Sequence, residues 1–333
     1  SLVVDNAALP RIAADPSLVL TPKALGYRPV RTLSYVVDYR LSGVQGGQLD
    51  AWFFHLNNIV YHWLTACVVF LIALRLTNIR THVGGAQSEG EEGMRWQPAV
   101  FTALLWALHP VQVETVTYIS GRRDILTTLF FLCGFWAFLG WREQRTVGKR
   151  IACFLAILLS YVLGVASKEM ALTLPLVMLG YDALHASQVQ GVSFGPRYLG
   201  EVVRGIGRGI GQHKFLYGPL LLLGVYFTWY AAFVILPTWA IPWYGGGVVT
   251  NFLTVARIWA YYLFLLCAPI HLLADYTGAF PITLSAFDPL SWLAVGFLLS
   301  LGLMVLVALR SSLLVAFALA WVAMTLLPVS HII

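Results

Sequence analysis

Long apolar runs alternate with short polar connections along this chain, and the runs set the architecture. They fall at roughly 53–76, 97–113, 124–141, 150–166, 169–184, 215–237, 253–270, 289–309 and 312–328. Several approach the ~20 residues that a helix needs to cross a bilayer, and those near ~17 sit at the lower limit. None shows the period-two alternation of a membrane β-barrel. A lone strand would leave backbone groups unpaired in lipid, so only helices fit. The pattern predicts an all-α polytopic membrane protein with about nine apolar helices.

Polar segments divide the chain. Residues 1–50, punctuated by Pro10, Pro16, Pro22 and Pro29, read as a first non-cytoplasmic loop with some local structure. Residues 51–333 form a multi-helix transmembrane domain, within which 185–214 is a cytoplasmic amphipathic loop. Orientation follows from Lys and Arg in the short loops. The connections 142–150 (Arg142, Arg145, Lys149, Arg150) and 185–214 (Arg197, Arg204, Arg208, Lys214) are basic and mark the cytoplasmic side. Within the second, 196–214 spaces basic residues between apolar ones as an interfacial helix on anionic lipid does, while its glycines weaken the helix. Arg310 conflicts with strict alternation unless 253–270 is re-entrant or surface-lying, the reading favoured by the interruption at Arg257.

Composition agrees with the pattern. With 59% hydrophobic residues, 11% charged and a mean hydropathy of +0.77 over 333 residues, an ordinary soluble domain is excluded. The four cysteines lie in apolar runs without CxxC spacing, so neither a disulfide framework nor a zinc site is expected. A basic content dominated by Arg points to a bacterial inner membrane, with the endoplasmic reticulum membrane as the eukaryotic counterpart. The ends, Ser1 in a polar loop and Ile333 directly after an apolar run, suggest a partial chain lacking helices at its termini.

Ionisable groups at membrane depth mark function or paired structure, and here they gather on the side opposite the basic loops. The outer list comprises Asp5, Arg28 and Arg31, His55 with Asn57, Asn58 and His62, the stretch from His109 to Asp124 with Glu114, Arg122 and Arg123, the Ser167-Lys168-Glu169 corner, Asp275 with Tyr276, and His331. Arg122, Arg123 and Lys168 lie in very short loops where basic residues should be scarce, so something there requires positive charge; a lipid-linked phosphate would satisfy it. The structural alternative pairs Arg122 or Arg123 with Asp124 or Glu114, and Lys168 with Glu169. His62 reads first as a satisfied core histidine, and His109-Pro110 as a helix terminator or a ligand contact. Asp5, in an outer loop, is either an exposed general base or an Asx-turn residue.

The order of YRPVRTLSYVVDYRL (27–41), FHLNNIVYHWLTACVVF (54–70), ALHPVQVETVTYISGRRDIL (107–126), GVASKEMALTLPLVMLGYD (164–182), LLADYTGAFPITLSAFDP (272–289) and LLPVSHII resembles the membrane part of the transmembrane O-mannosyltransferases with tetratricopeptide repeats and their bacterial relatives. The resemblance is most specific at HPVQVETVTYISGRRD and ASKE. It implies a GT-C fold with a non-cytoplasmic active site, an inverting reaction, a polyprenyl- or dolichyl-phosphate sugar donor, mannose-like, and a protein hydroxyl acceptor. By that resemblance Asp5 is the candidate base and Glu114 the runner-up. Arg122, Arg123 and Lys168 are donor-phosphate ligands, and Arg28, His109, Asp124, Glu169 and Asp275 shape the cavity. The resemblance establishes no definite cofactor and leaves a divalent metal open through the family's acidic pair at the first loop; here Asp5 is followed by Asn6. The terminal helix and repeat domain of the family have no counterpart in the chain, and no 34-residue repeat occurs. The alternative is a GT-C-like scaffold or accessory subunit of a membrane complex, without catalysis; a lipid-linked-sugar transporter ranks third, because paired inverted repeats are missing.

Overall fold

The computed structural model describes residues 28–42, 51–83, 96–186, 196–230, 233, 243–270, 272–273 and 281–326. Among the described residues the secondary structure is entirely helical. The chain divides into two compact units, Ser1–Ala171 and Leu172–Ile333.

The first unit contains α1 (Pro29–Ser42), α2 (Ala51–Val83), α3 (Trp96–Ala107), α4 (Gln112–Thr117), α5 (Arg122–Glu143) and α6 (Val147–Val165). Helices α5 and α6 run antiparallel, joined at 144–146, and α5 also packs on α2. Of the spanning windows, that of α5 is 61% buried whereas that of α2 is 11% buried, so α5 is the core helix and α2 presents side chains to lipid. Packing against α5 is close where a glycine permits it. A Cβ on Gly140 would stand 2.9 Å from Arg75 Nη1, and this space lets the Arg75 guanidinium donate to the Trp136 carbonyl at 2.8 Å and lie 4.7 Å from its ring. A charge on a spanning helix is thereby satisfied internally.

The apolar run 97–113 does not form one helix. It stops at Ala107 and resumes at Gln112, because Pro110 lacks an N–H and disfavours helical backbone at His109. Within the loop expected at 1–50, the described residues form α1. Its buried positions Arg31, Thr32, Tyr35, Val36 and Asp38 make one helical face. Val30 N–H donates to Ala166 O at 3.4 Å and the Tyr35 hydroxyl to Ile119 O at 2.7 Å, fixing α1 at the 122/166 end of the hairpin.

The second unit contains α7 (Leu174–Ala186), α8 (Pro196–Gln212), α9 (Lys214–Tyr230), α10 (Val248–Cys267), α11 (Pro289–Ser311) and α12 (Leu313–Leu326). Helix α7 packs on α8 and α12, and α11 lies between α10 and α12. Helix α8 forms despite its glycines, because Gly205 and Gly209 are its buried contacts and Glu201 accepts from both Arg204 and Arg208 at 2.7 Å. Buried Asp182 accepts from the Tyr217 hydroxyl at 2.6 Å, joining α7 to α9. Helix α10 is continuous for 20 residues and qualifies as a span, with Arg257 3.5 Å from Asp288. The interruption that suggested a re-entrant 253–270 is therefore absent: Arg257 is paired instead of breaking the helix. Gly245 has φ +69°, and a Cβ there would stand 2.3 Å from Thr283 O, so this turn requires glycine.

Each of the nine apolar runs contains a helix, and among the described residues five helices are long and apolar enough to cross a membrane: α2, α5 with its preceding turn, α6, α10 and α11. The protein is an all-α, multi-pass integral membrane protein. Its four cysteines are free.

Candidate functional site

The stretch from His109 to Asp124 folds as a turn, a short helix and a second turn. Val111 N–H reaches His109 Nδ1 at 3.3 Å, capping the break after α3, and α4 then presents Glu114 on its exposed first turn. The turn 119–121 leads into α5. Gly121 has ordinary helical torsions, φ −61° and ψ −17°, yet a Cβ there would lie 2.3 Å from Thr115 O. Glycine is needed here for close approach of two backbones, not for left-handed geometry. His62 is half-buried and satisfied: its Nε2 lies 3.0 Å from Ala107 O and its ring stacks on Trp106 at 4.9 Å.

Arg122 and Arg123 are neighbours with opposite environments. The Arg122 side chain has 0% exposure. It forms an ion pair with Asp38, donates from Nε to Asn58 Oδ1 and from Nη2 to Phe54 O, both at 2.8 Å, and lies 4.6 Å from the Tyr35 ring. Asn57 donates to Asp38 at 2.9 Å, and Asn58 also donates to the Val116 and Tyr118 carbonyls at 3.2 and 3.3 Å. The guanidinium is consumed by protein groups, so Arg122 is a framework residue tying α1 and α2 to α5, and it presents no donor to a phosphate. Burial pushes the Asp38 carboxyl upward, against the pull of the Arg122 charge; burial likewise raises the Tyr35 hydroxyl, again opposed by Arg122.

Arg123 instead faces outward. Its Nε lies 3.3 Å from Asp124 Oδ2, while Lys168 pairs with the other carboxylate oxygen. Side-chain exposures of 36% for Arg123, 31% for Asp124 and 16% for Lys168 leave this trio open to a ligand. Arg28 Nη2 pairs with Glu169 Oε2 at 3.3 Å. Arg31, 8% exposed, has its pKa lowered chiefly by burial, against the pull of Tyr35, with the charges of Arg28 and Arg123 adding to the lowering, and it stays protonated. Of these six side chains four are cationic and two anionic, so the cluster at this end of the α5–α6 hairpin carries surplus positive charge. Arg123 pairs with Asp124 as the structural alternative expected, whereas Lys168 reaches Asp124 across the hairpin instead of Glu169, which takes Arg28. Among the described residues no three His, Cys, Asp or Glu side chains gather closely enough to hold a metal ion. Asp5 and Asp275 lie outside the described residues.

Sequence reasoning placed Arg31 and Asn58 on this side without giving either a partner, and it missed Asp38. The spacing Arg31, Tyr35, Asp38 was the available signal, since steps of four and three place them on one face of a helix.

Fold and site together define a class: a multi-pass helical membrane protein with a solvent-open, cation-rich cluster at one end of its first unit. Similar curated proteins carry transferase names. The chain is 33% identical over 173 residues to the protein O-mannosyl-transferase TMTC1 of Mus musculus, a match covering 49% of this chain and 16% of that protein. It is 31% identical over 166 residues to TMTC4 of Homo sapiens, covering 47% and 20%, and 28% identical over 162 residues to TMTC3 of Mus musculus, covering 48% and 15%. The aligned part thus spans a fifth or less of each of these relatives. No family model and no solved structure matches. The curated homologues of this chain are TMTC protein O-mannosyl-transferases, in agreement with the family that the sequence motifs resemble.

Proposed function

We propose that the chain is the membrane part of a glycosyltransferase that moves a mannose-like sugar from a polyprenyl- or dolichyl-phosphate donor to a protein hydroxyl at the non-cytoplasmic face. The observation that carries this reading is the open Arg123–Asp124–Lys168 trio, with Arg28 and Arg31 beside it. The far end of the same hairpin bears Arg142, Arg145, Lys149 and Arg150, which the positive-inside rule assigns to the cytoplasm. The trio therefore belongs to the opposite side, where its positive charge needs a reason.

In the reaction, the acceptor oxygen attacks the anomeric carbon as a carboxylate takes its proton. The bond from that carbon to the phosphate oxygen breaks, its electron pair leaves with the lipid phosphate, and configuration inverts. Charge accumulates on the leaving phosphate, where Arg123 and Lys168 stabilise it more strongly in the transition state than in the ground state. Asp5 is the proposed base; Glu114, exposed on α4, is the alternative. Arg122 acts by fixing the first turn of α5, on which Arg123 and Asp124 stand.

The test uses purified protein, polyprenyl-phosphate mannose and a Ser/Thr peptide. Arg123→Ala and Lys168→Ala should each lower turnover by about 10²–10³-fold, as loss of one transition-state donor does. Unchanged turnover in both variants refutes the site. A folded chain that binds a stoichiometric partner but neither binds nor turns over the donor supports the scaffold reading instead.

A further inference from the structure

Independently of any catalytic role, we propose that α8 is a lipid-docking element that lies in the headgroup layer of an anionic membrane surface. Its polar and apolar residues segregate more sharply than in any spanning helix. Three sides of the helix have different uses. Gly205 and Gly209 are buried, and a Cβ on Gly209 would stand 3.3 Å from Asp182 Cβ and 3.4 Å from Ala183 N, so a glycine seam holds α8 close against α7. To one side of the seam Val203, Ile206 and Ile210 are 66%, 41% and 43% exposed, forming an apolar strip at steps of three and four. On the opposite flank Arg204 and Arg208 have side chains 63% and 36% exposed.

At 3.6 residues per turn the apolar strip and the basic flank point roughly 150° apart. A helix lying flat at an interface needs this division, with branched aliphatic residues toward the acyl chains and arginines toward phosphates and water. Glu201 bridges both arginines and removes one charge, leaving a net positive flank. Position supports the same occupant. His213 joins α8 directly to α9, whose Leu221, Leu222 and Val225 are 56%, 73% and 68% exposed and belong to the apolar run 215–237 that the sequence pattern assigns to the membrane. The apolar strip of α8 is thus tethered at a membrane edge, and the basic flank selects anionic headgroups there.

The experiment places a nitroxide at Ile206→Cys or Gly211→Cys in the full chain, with its four native cysteines replaced, in nanodiscs of phosphatidylcholine with or without phosphatidylglycerol. Collision with oxygen reports acyl-chain depth, and collision with a nickel chelate reports water. With phosphatidylglycerol present, the label at 206 should favour oxygen and that at 211 the chelate. Removing phosphatidylglycerol, or introducing Arg204→Gln with Arg208→Gln, should lower the docked-to-undocked ratio, by about 30-fold for the two arginines. Glu201→Gln should raise it. A label at 206 that meets the chelate freely in both lipids, or is shielded from both reagents by a protein partner or second copy, overturns the proposal. So does docking that ignores both lipid charge and the arginines.

Discussion

The Arg122–Asp38 pair yields a double-mutant cycle whose outcome is set by how differently the two groups can discharge. Both side chains are essentially inaccessible, at 0% and 2%. In Asp38→Leu the guanidinium keeps Asn58 Oδ1 and Phe54 O at 2.8 Å and the Tyr35 ring at 4.6 Å, but no anion remains. Arginine cannot release its proton, so an uncompensated buried charge costs about 3–5 kcal/mol. In Arg122→Met the orphan is a carboxyl that burial already drives toward its neutral form, and Asn57 still donates to it. It escapes by taking up a proton, so the loss should be smaller, about 2–3 kcal/mol. The double variant removes both charges. It leaves the Phe54 carbonyl without its Arg122 donor, while Asn58 keeps its bonds to the Val116 and Tyr118 carbonyls, so the total should be about 1–3 kcal/mol.

Unfolding in mixed micelles, read by reaction of the native cysteines with a thiol-reactive fluorophore, measures all three. Cys67, Cys133 and Cys153 are partly buried and become available as helices separate. Asp38→Leu should be the least stable, and the coupling energy should exceed about 2 kcal/mol. Additive effects, or Arg122→Met proving the worse single change, refute the assignment of Arg122 as a buried, charge-compensated framework residue.

Other substitutions probe the neighbouring geometry. Gly121→Ala should destabilise by about 1–3 kcal/mol, because its Cβ would meet a backbone carbonyl at 2.3 Å; a stability unchanged in the same unfolding assay would contradict that contact. Gly140→Ala should displace the Arg75 guanidinium, the nearest atom being 2.9 Å away, and release it from the Trp136 carbonyl, seen as quenched or shifted indole fluorescence against a Trp136→Phe control. Asp288 caps α11 by accepting from Ser291, and the Ser291 hydroxyl holds its carboxyl below the ordinary value of 3.8. A depressed folded-state pKa contributes stability above 3.8 that fades as pH falls through the lower folded value. Asp288→Ala should therefore lower the unfolding midpoint at neutral pH, with the difference narrowing in acid; a gap constant down to low pH would exclude this origin.

The helices were legible because apolar run length and the exclusion of strands leave few choices in lipid. Convergence of Arg123, Asp124 and Lys168 was legible too, since a short connection at 142–150 forces the two distal ends of the hairpin together. Separating Arg122 from Arg123 was not. Consecutive helical residues point about 100° apart, and which of them faces inward depends on where α1 docks, a tertiary fact carried by Tyr35, Asp38 and the Val30–Ala166 bond. The break at His109-Pro110 was anticipated as a feature and underestimated in consequence, for it shortens α3 to 12 residues.

The adjacency of a buried arginine and an exposed one has a functional corollary. Arg122 is gripped by groups from α1 and α2, which fixes the phase and position of the first turn of α5. Arg123 and Asp124 inherit that fixed backbone, and Lys168 docks on Asp124 from the far side of the hairpin. The proposed phosphate site would then rest on rigid elements, its geometry set by Arg122, which is buried away from the open trio. A milder lesion than Leu, Asp38→Asn, should then leave the chain folded at low temperature but loosen that turn. Binding of a polyprenyl phosphate should weaken, with donor KM rising about tenfold, while Lys168→Ala should lower kcat itself because its interaction grows in the transition state. Equal changes in KM and kcat for the two variants, with both folded, would show that Arg122 does no more than stabilise the fold.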